Sequence, residues 1–160
     1  MNISLVSRPE MLIAVRQAAC NGHDVRRAWK EVEALAGNHH NRLNPNYGHV
    51  LIPEWQWAEG VQTLWVGVEM ECEEDLPEGL EMMSIPARYY AKATVKGDRI
   101  HMERMHVALH AWLERQGYER DDSEGAYRFE ANRLEPINPF ELDADQIKIF
   151  DYDIYTPIKR

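Results

Sequence analysis

Cysteine is scarce. The chain has two in 160 residues, Cys20 and Cys72, too few for a disulfide framework and suited to a reducing compartment. Basic charge is also in short supply: 18 Lys and Arg face 27 Asp and Glu, a net charge of −9. Phosphate backbones and anionic lipid surfaces are recognised through basic charge. Direct nucleic-acid binding and a membrane partner are therefore not expected. No apolar run approaches the roughly 20 residues of a membrane span. Residues 1–10 show no basic stretch followed by an apolar one, so no signal peptide is expected and the reading is cytoplasmic. Dinucleotide and P-loop glycine patterns are missing, as are GxSxG and paired CxxC motifs. No cofactor is expected.

What is there is ordinary globular material, 44% apolar and 28% charged, at a length that favours one domain over residues 1–160. Residues 11–19 (MLIAVRQAA) read as a strand. Gly22-His23-Asp24 breaks it, with Asp24 as the expected N-cap. Apolar positions 25, 28, 29, 32, 35 and 36 then make one helical stripe, closed by Gly37 as a C′ glycine. Residues 47–52 and 61–72 follow as strands. In the second, Leu64, Val66, Val68 and Met70 alternate with Thr63, Trp65, Gly67 and Glu69.

The order then repeats. Residues 80–85 and 88–96 read as strands and Gly97-Asp98 breaks them. A helical stripe runs through 102, 105, 109, 112 and 113 to Gly117, and strands follow at 127–134 and 147–158. Each half, roughly 10–75 and 76–160, is a βαββ unit. The expected fold is α+β: duplicated βαββ modules forming one antiparallel sheet, with two helices on one face and a ligand groove on the other.

Glu130 is the first candidate site residue. Strand alternation is expected to point Tyr127, Phe129 and Ala131 at the helices and to leave Glu130 with Asn132 on the groove face, beside Trp65 and Tyr90. A carboxylate among aromatic rings is costly unless a cation or donor answers it. The chemistries are cation recognition by charge and π contact or general acid–base work. The plain alternative is a rim carboxylate paired with Arg128 or Lys92. Trp55 and Trp57 fall in the loop 53–60 and are candidates for a lid. His106 and His110 have zinc-compatible spacing, but HExxH is missing and both read as solvated, so no metal site is expected. The acidic segment 69–81 reads as a solubilising linker without calcium-loop spacing.

Several stretches, taken in order, resemble the GyrI-like effector-binding domain of AraC- and MerR-type regulators. They are Leu76-Pro77-Glu78-Gly79-Leu80, Ile85-Pro86-Ala87-Arg88-Tyr89-Tyr90-Ala91, Gly97 before a helix, Trp112-Leu113, Gly117-Tyr118, Glu130 in its strand, and Tyr152-Asp153-Ile154-Tyr155-Thr156-Pro157-Ile158. The resemblance spans about residues 10–158. It implies paired βαββ modules around a groove for hydrophobic or aromatic molecules, often lipophilic cations, as in multidrug sensing. Glu130 matches the family's central acid, Trp29 an aromatic on the first helix, and Tyr152 an aromatic on the last strand. Asn132 matches a pocket position but is polar where the family is aliphatic. With no helix-turn-helix before the domain, the expected role is that of a stand-alone small-molecule binder. The alternatives are a hydrolase of small electrophiles using Glu130 as general acid or base, and a protein-interaction inhibitor, such as a gyrase-binding protein, using its negative charge.

Overall fold

The strands pair in the order their alternation allows. The computed structural model describes residues 2–159. It contains β1 (Ile3–Arg8), β2 (Met11–Ala19), α1 (Gly22–Ala36), β3 (Tyr47–Pro53), β4 (Thr63–Met70), β5 (Glu81–Ile85), β6 (Arg88–Gly97), α2 (Arg99–Gln116), β7 (Tyr127–Arg133) and β8 (Phe150–Pro157). All pair antiparallel into one sheet ordered β1-β6-β8-β7-β3-β4-β2-β5. The duplication is visible as β2-α1-β3-β4 followed by β6-α2-β7-β8, with β3 and β7 joining the two at the centre. β1 precedes the first unit yet pairs with β6, and β5 precedes β6 yet pairs with β2. Each edge strand is thus hydrogen-bonded to the other unit.

Local chemistry sets the helix ends. Asn21, not Asp24, caps α1: its side chain accepts from Asp24 N at 2.8 Å. Asp24 instead accepts from Ala19 N at 2.6 Å, tying the helix back to β2. The helix starts earlier than the apolar stripe because its first turn, Gly-His-Asp, carries no core residue. Gly37 ends α1 in right-handed backbone, φ −55°, so the expected left-handed C′ glycine is not found there. Gly117 after α2 is left-handed, φ 73°, with Tyr118 N donating to Leu113 O at 3.0 Å.

Register shows which way each strand faces. Val50 pairs with Glu130, Glu130 with Ile154, and Ile154 with Ala93. Val50 packs in the core under α1; Ile154 and Ala93 pack under α2. Both helices therefore lie on one face. Trp29 and Val32 of α1 meet Ala14, Val66 and Val68, while Met105, Leu109 and Leu113 of α2 meet Ala91, Ala93 and Ile154. The other face has its own apolar cluster, with Ile13, Ile85, Tyr90, Phe129 and Tyr155 all buried. No helix covers this face, so the side chains bury one another and the sheet curls about them.

Candidate functional site

The even positions of β7, Arg128, Glu130 and Asn132, face the helices. Tyr127, Phe129 and Ala131 face the opposite way. This reverses the expected assignment of the faces. An apolar alternating set was read as the helix side, but here both sides of the sheet hold apolar cores, so apolarity cannot tell them apart. Glu130, Asn132 and Tyr152 form the floor of a groove of about 200 Å³ between α1 and α2. Val25 and Arg26 of α1 and Arg99 of α2 line it, with Phe150 from β8. Pro139, Phe140, Ala144 and Ile147 close it from above.

Glu130 is half-buried at the floor of the groove. Its carboxylate makes no hydrogen bond or ion pair among the described residues. Burial raises its pKa, and the charge of Arg128 opposes that rise. Arg128 itself is 2% exposed, and its Nε and Nη1 have no partners. Trp57 covers its outer side, 4.5 Å from the guanidinium carbon to the ring centroid. Asn132 Nδ2 turns back to Glu130 O at 3.4 Å. Tyr152 Oη shares a hydrogen bond of 2.8 Å with His106 Nε2. Burial raises the Tyr152 pKa, and the Glu130 charge raises it further. Burial and the nearby Arg128 and His110 charges push His106 down to about 4. His106 therefore stands neutral against the phenol.

The roof is the segment 134–149. Phe140 stacks on Trp29 with ring centroids 4.6 Å apart. Gly48 on β3 lies beneath that stack, where a Cβ would stand 2.7 Å from Trp29 and 2.9 Å from Phe140. Arg26 donates to Leu142 O and, at 3.2 Å, to Pro139 O. Arg99 donates to Ala144 O at 2.7 Å. The two helices thus hold the segment down through one arginine each. Two more pockets, of about 220 and 460 Å³, flank the same segment.

The structure brings together Glu130, Asn132 and Tyr152. Trp29 is 2% exposed, and Phe140 lies over it. Trp65 and Tyr90 lie on the helix-free face, Trp65 against Tyr127 and Tyr90 against Phe129 and Tyr155. They do not share a face with Glu130, a correction that follows from the same reversal. Trp55 packs edge-on against Tyr127 at 5.0 Å. Neither Trp55 nor Trp57 lines the Glu130 groove, and the segment over it is 134–149, not 53–60. The pairing of Glu130 with Arg128 or Lys92 is not formed; Lys92 lies on the other face, 4.0 Å from Asp153. His106 and His110, expected in solvent, are both partly buried. Among the described residues no group of three or more His, Cys, Asp or Glu is placed to hold a metal ion. No helix among them is long and apolar enough to cross a membrane.

Two linked βαββ units, a curled antiparallel sheet and an acid-floored groove between two helices define an effector-binding module of the GyrI-like type. The chain belongs to the integron-associated effector binding proteins (Cass2), whose family model matches residues 13–158. Its class of function is the binding of a small effector molecule. Solved structures share the fold. The EcmrR C-terminal domain superposes with a TM-score of 0.71 at 15% identity, over 99% of this chain and 98% of that one. SAV2435 bound to tetraphenylphosphonium gives 0.64 at 13%, over 99% and 94%. A hydrolase encoded by lin2189 from Listeria innocua gives 0.62 at 12%, over 98% and 91%. No curated protein matches by sequence.

Proposed function

We propose that this protein binds lipophilic organic cations in the groove between α1 and α2, with Glu130 as the charge partner. The observation that carries this reading is the Glu130 carboxylate itself. It stands half-buried at the floor of a groove with apolar and aromatic walls, without a hydrogen-bond or ion-pair partner among the described residues, an arrangement that costs folding energy until a cation arrives. Arg26 and Arg99 stand at the groove too. Both are bonded to roof carbonyls, and Arg128 is the cation whose charge registers at Glu130. A cation with its charge spread over aromatic groups suits the site, because Val25, Val50, Phe140 and Phe150 offer apolar and aromatic surface around the acid.

The groove volume of about 200 Å³ falls below the roughly 300–1,000 Å³ of a drug-sized site. A bulky ligand therefore enters by lifting segment 134–149 away from Trp29. The binding of tetraphenylphosphonium by SAV2435 supplies a probe. Tetraphenylphosphonium should raise the melting temperature of this protein. Triphenylphosphine oxide, similar in shape but uncharged, should do so far less. Equal stabilisation by the two would remove charge from the account.

A second reading rests on the paired Tyr152 and His106 beside Glu130. A carboxyl group held protonated by burial can give its proton to a leaving atom while water attacks an electrophilic carbon. The similarity in fold to the Listeria hydrolase is compatible with this. Mass spectrometry of electrophilic aromatic compounds after incubation tests it. Recovery of unchanged compound from saturated protein rejects turnover.

A further inference from the structure

The helix-free face carries a cavity of its own. It measures about 230 Å³ and lies across the centre of the sheet, behind the strands that hold Glu130. At about 30 Å³ per water it corresponds to roughly eight water volumes, the scale of a small metabolite. Unlike the groove, it is lined mainly by polar and charged side chains.

Their pairing is incomplete. Arg133 and Asp153 answer each other at 3.0 Å. Arg8 lies over the Tyr155 and Phe129 rings and donates to the Tyr155 hydroxyl at 3.1 Å and to Met11 Sδ at 3.3 Å, yet among the described residues no carboxylate lies within 4 Å of it. Lys92 lies over the Tyr155 ring at 5.6 Å and approaches the already engaged Asp153 at 4.0 Å. Across the cavity Glu69 is 9% exposed, and its one side-chain partner is the neutral Asn44 amide at 3.2 Å. Between them sits His49, 5% exposed, its ring beside Tyr47 and Phe129 and its buried Nδ1 without a hydrogen-bond partner among the described residues. Burial first, then the Arg8 and Arg42 charges, push His49 down to about 4, so it stands neutral and presents one donor and one acceptor. A buried ring nitrogen without a partner is an arrangement that folded proteins avoid unless something answers it.

We propose that this cavity is a second ligand site, for a small zwitterion bearing one carboxylate and one ammonium group, of which a free α-amino acid is the simplest form. The carboxylate meets Arg8 and Lys92, the ammonium meets Glu69, and His49 supplies a neutral hydrogen bond between them. A simple anion would leave Glu69 without a counter-charge, and a simple cation would leave Arg8 without one. Only a ligand with both charges satisfies both ends. This site and the Glu130 groove occupy opposite faces of β7 and β8, so the inference does not depend on the cation reading.

The test is a titration of the 15N-labelled protein with the free L-amino acids at millimolar concentration, followed by amide shifts. Propionate and propylamine serve as single-charge controls. The expected result is saturable shifts at His49, Gly67 and Glu69 with at least one amino acid, and binding at least about tenfold weaker for each control. Arg8→Gln and Glu69→Gln should each weaken amino-acid binding by about tenfold or more. Both variants should keep the melting curve and the tetraphenylphosphonium response of the wild type, which reports an intact fold. The proposal is overturned if no amino acid shifts these amides, if propionate alone binds as well, or if neither substitution changes the affinity.

Discussion

Phe140 lies flat on Trp29, 4.6 Å between ring centroids and 16° between planes. One ring belongs to the roof segment and the other to α1. On the proposed reading the contact closes the groove and breaks when a bulky ligand enters. Phe140→Ala removes it and enlarges the groove. Loss of a large buried aromatic costs about 3 kcal/mol of stability, so the melting temperature falls. Tetraphenylphosphonium binding should tighten, because the ligand no longer has to displace the ring. Weaker binding in this variant, measured by calorimetry, would count against segment 134–149 as the lid.

Arg26 and Arg99 are the pins of that segment. Replacing either with Ala should speed amide hydrogen exchange across residues 134–149 and leave β3 and β7 protected. Exchange that accelerates throughout the sheet would mean that the arginines hold the core and not the roof.

Acid should unfold this protein through its buried histidines. His49 and His106 are both pushed down to about 4 from an ordinary value of 6.5. In both cases the fold favours the neutral ring and the unfolded chain takes up the proton first. The stability this represents is complete above pH 6.5 and is lost as pH falls towards 4. For the fully enclosed His49 the loss reaches about 3 kcal/mol. Urea melts at pH 7 and pH 5 should show the decline, and His106→Gln, which can still accept from Tyr152, should flatten it. An identical pH slope in the variant would contradict the assignment.

Glu130 carries the opposite sign. Its pKa is raised by burial, so the folded state holds a proton that the unfolded state has released. Its favourable contribution is present below pH 4.5 and is lost as pH rises through the raised value. At pH 7 Glu130→Gln should therefore melt at a higher temperature than wild type, while near pH 4 the difference should vanish. A variant that melts lower at pH 7 would show that the carboxylate has a partner in the fold.

Gly48 offers a steric test. Its missing side chain leaves room for both rings, and a methyl group there would meet Trp29 and Phe140 at once. Gly48→Ala should shift the tryptophan emission and, by prising Phe140 off Trp29, tighten tetraphenylphosphonium binding. A spectrum and affinity like the wild type would show that the stack is not held from below.

Much of this was legible in the sequence. Alternation in Thr63–Met70 separated Leu64, Val66 and Val68 from Trp65 and Gly67 correctly, because the first set is uniformly apolar and the second, with Thr63 and Glu69, is not. The two glycine-bounded helical stripes gave the repeat. The face of Glu130 was not legible. Tyr127, Phe129 and Ala131 look like a core face because they are one, on the side that has no helix. Nor was the partner of β1 readable, since Ile3 and Leu5 show alternation but nothing local directs them to β6 and away from β2. His106 was missed because its position at the margin of the α2 stripe reads as solvent until Tyr152 is known to stand opposite. The roof was missed because 134–149 carries few periodic apolar residues; its hold on the helices comes from arginine-to-carbonyl bonds, which leave no pattern.

The most direct measurement is a calorimetric titration of tetraphenylphosphonium into wild type and Glu130→Gln at pH 7, with the melting temperature of each unliganded protein recorded alongside. The account predicts that the variant binds at least about tenfold more weakly, a loss of about 1.4 kcal/mol or more, while melting at a higher temperature. Equal affinity in the two proteins would contradict Glu130 as the charge partner.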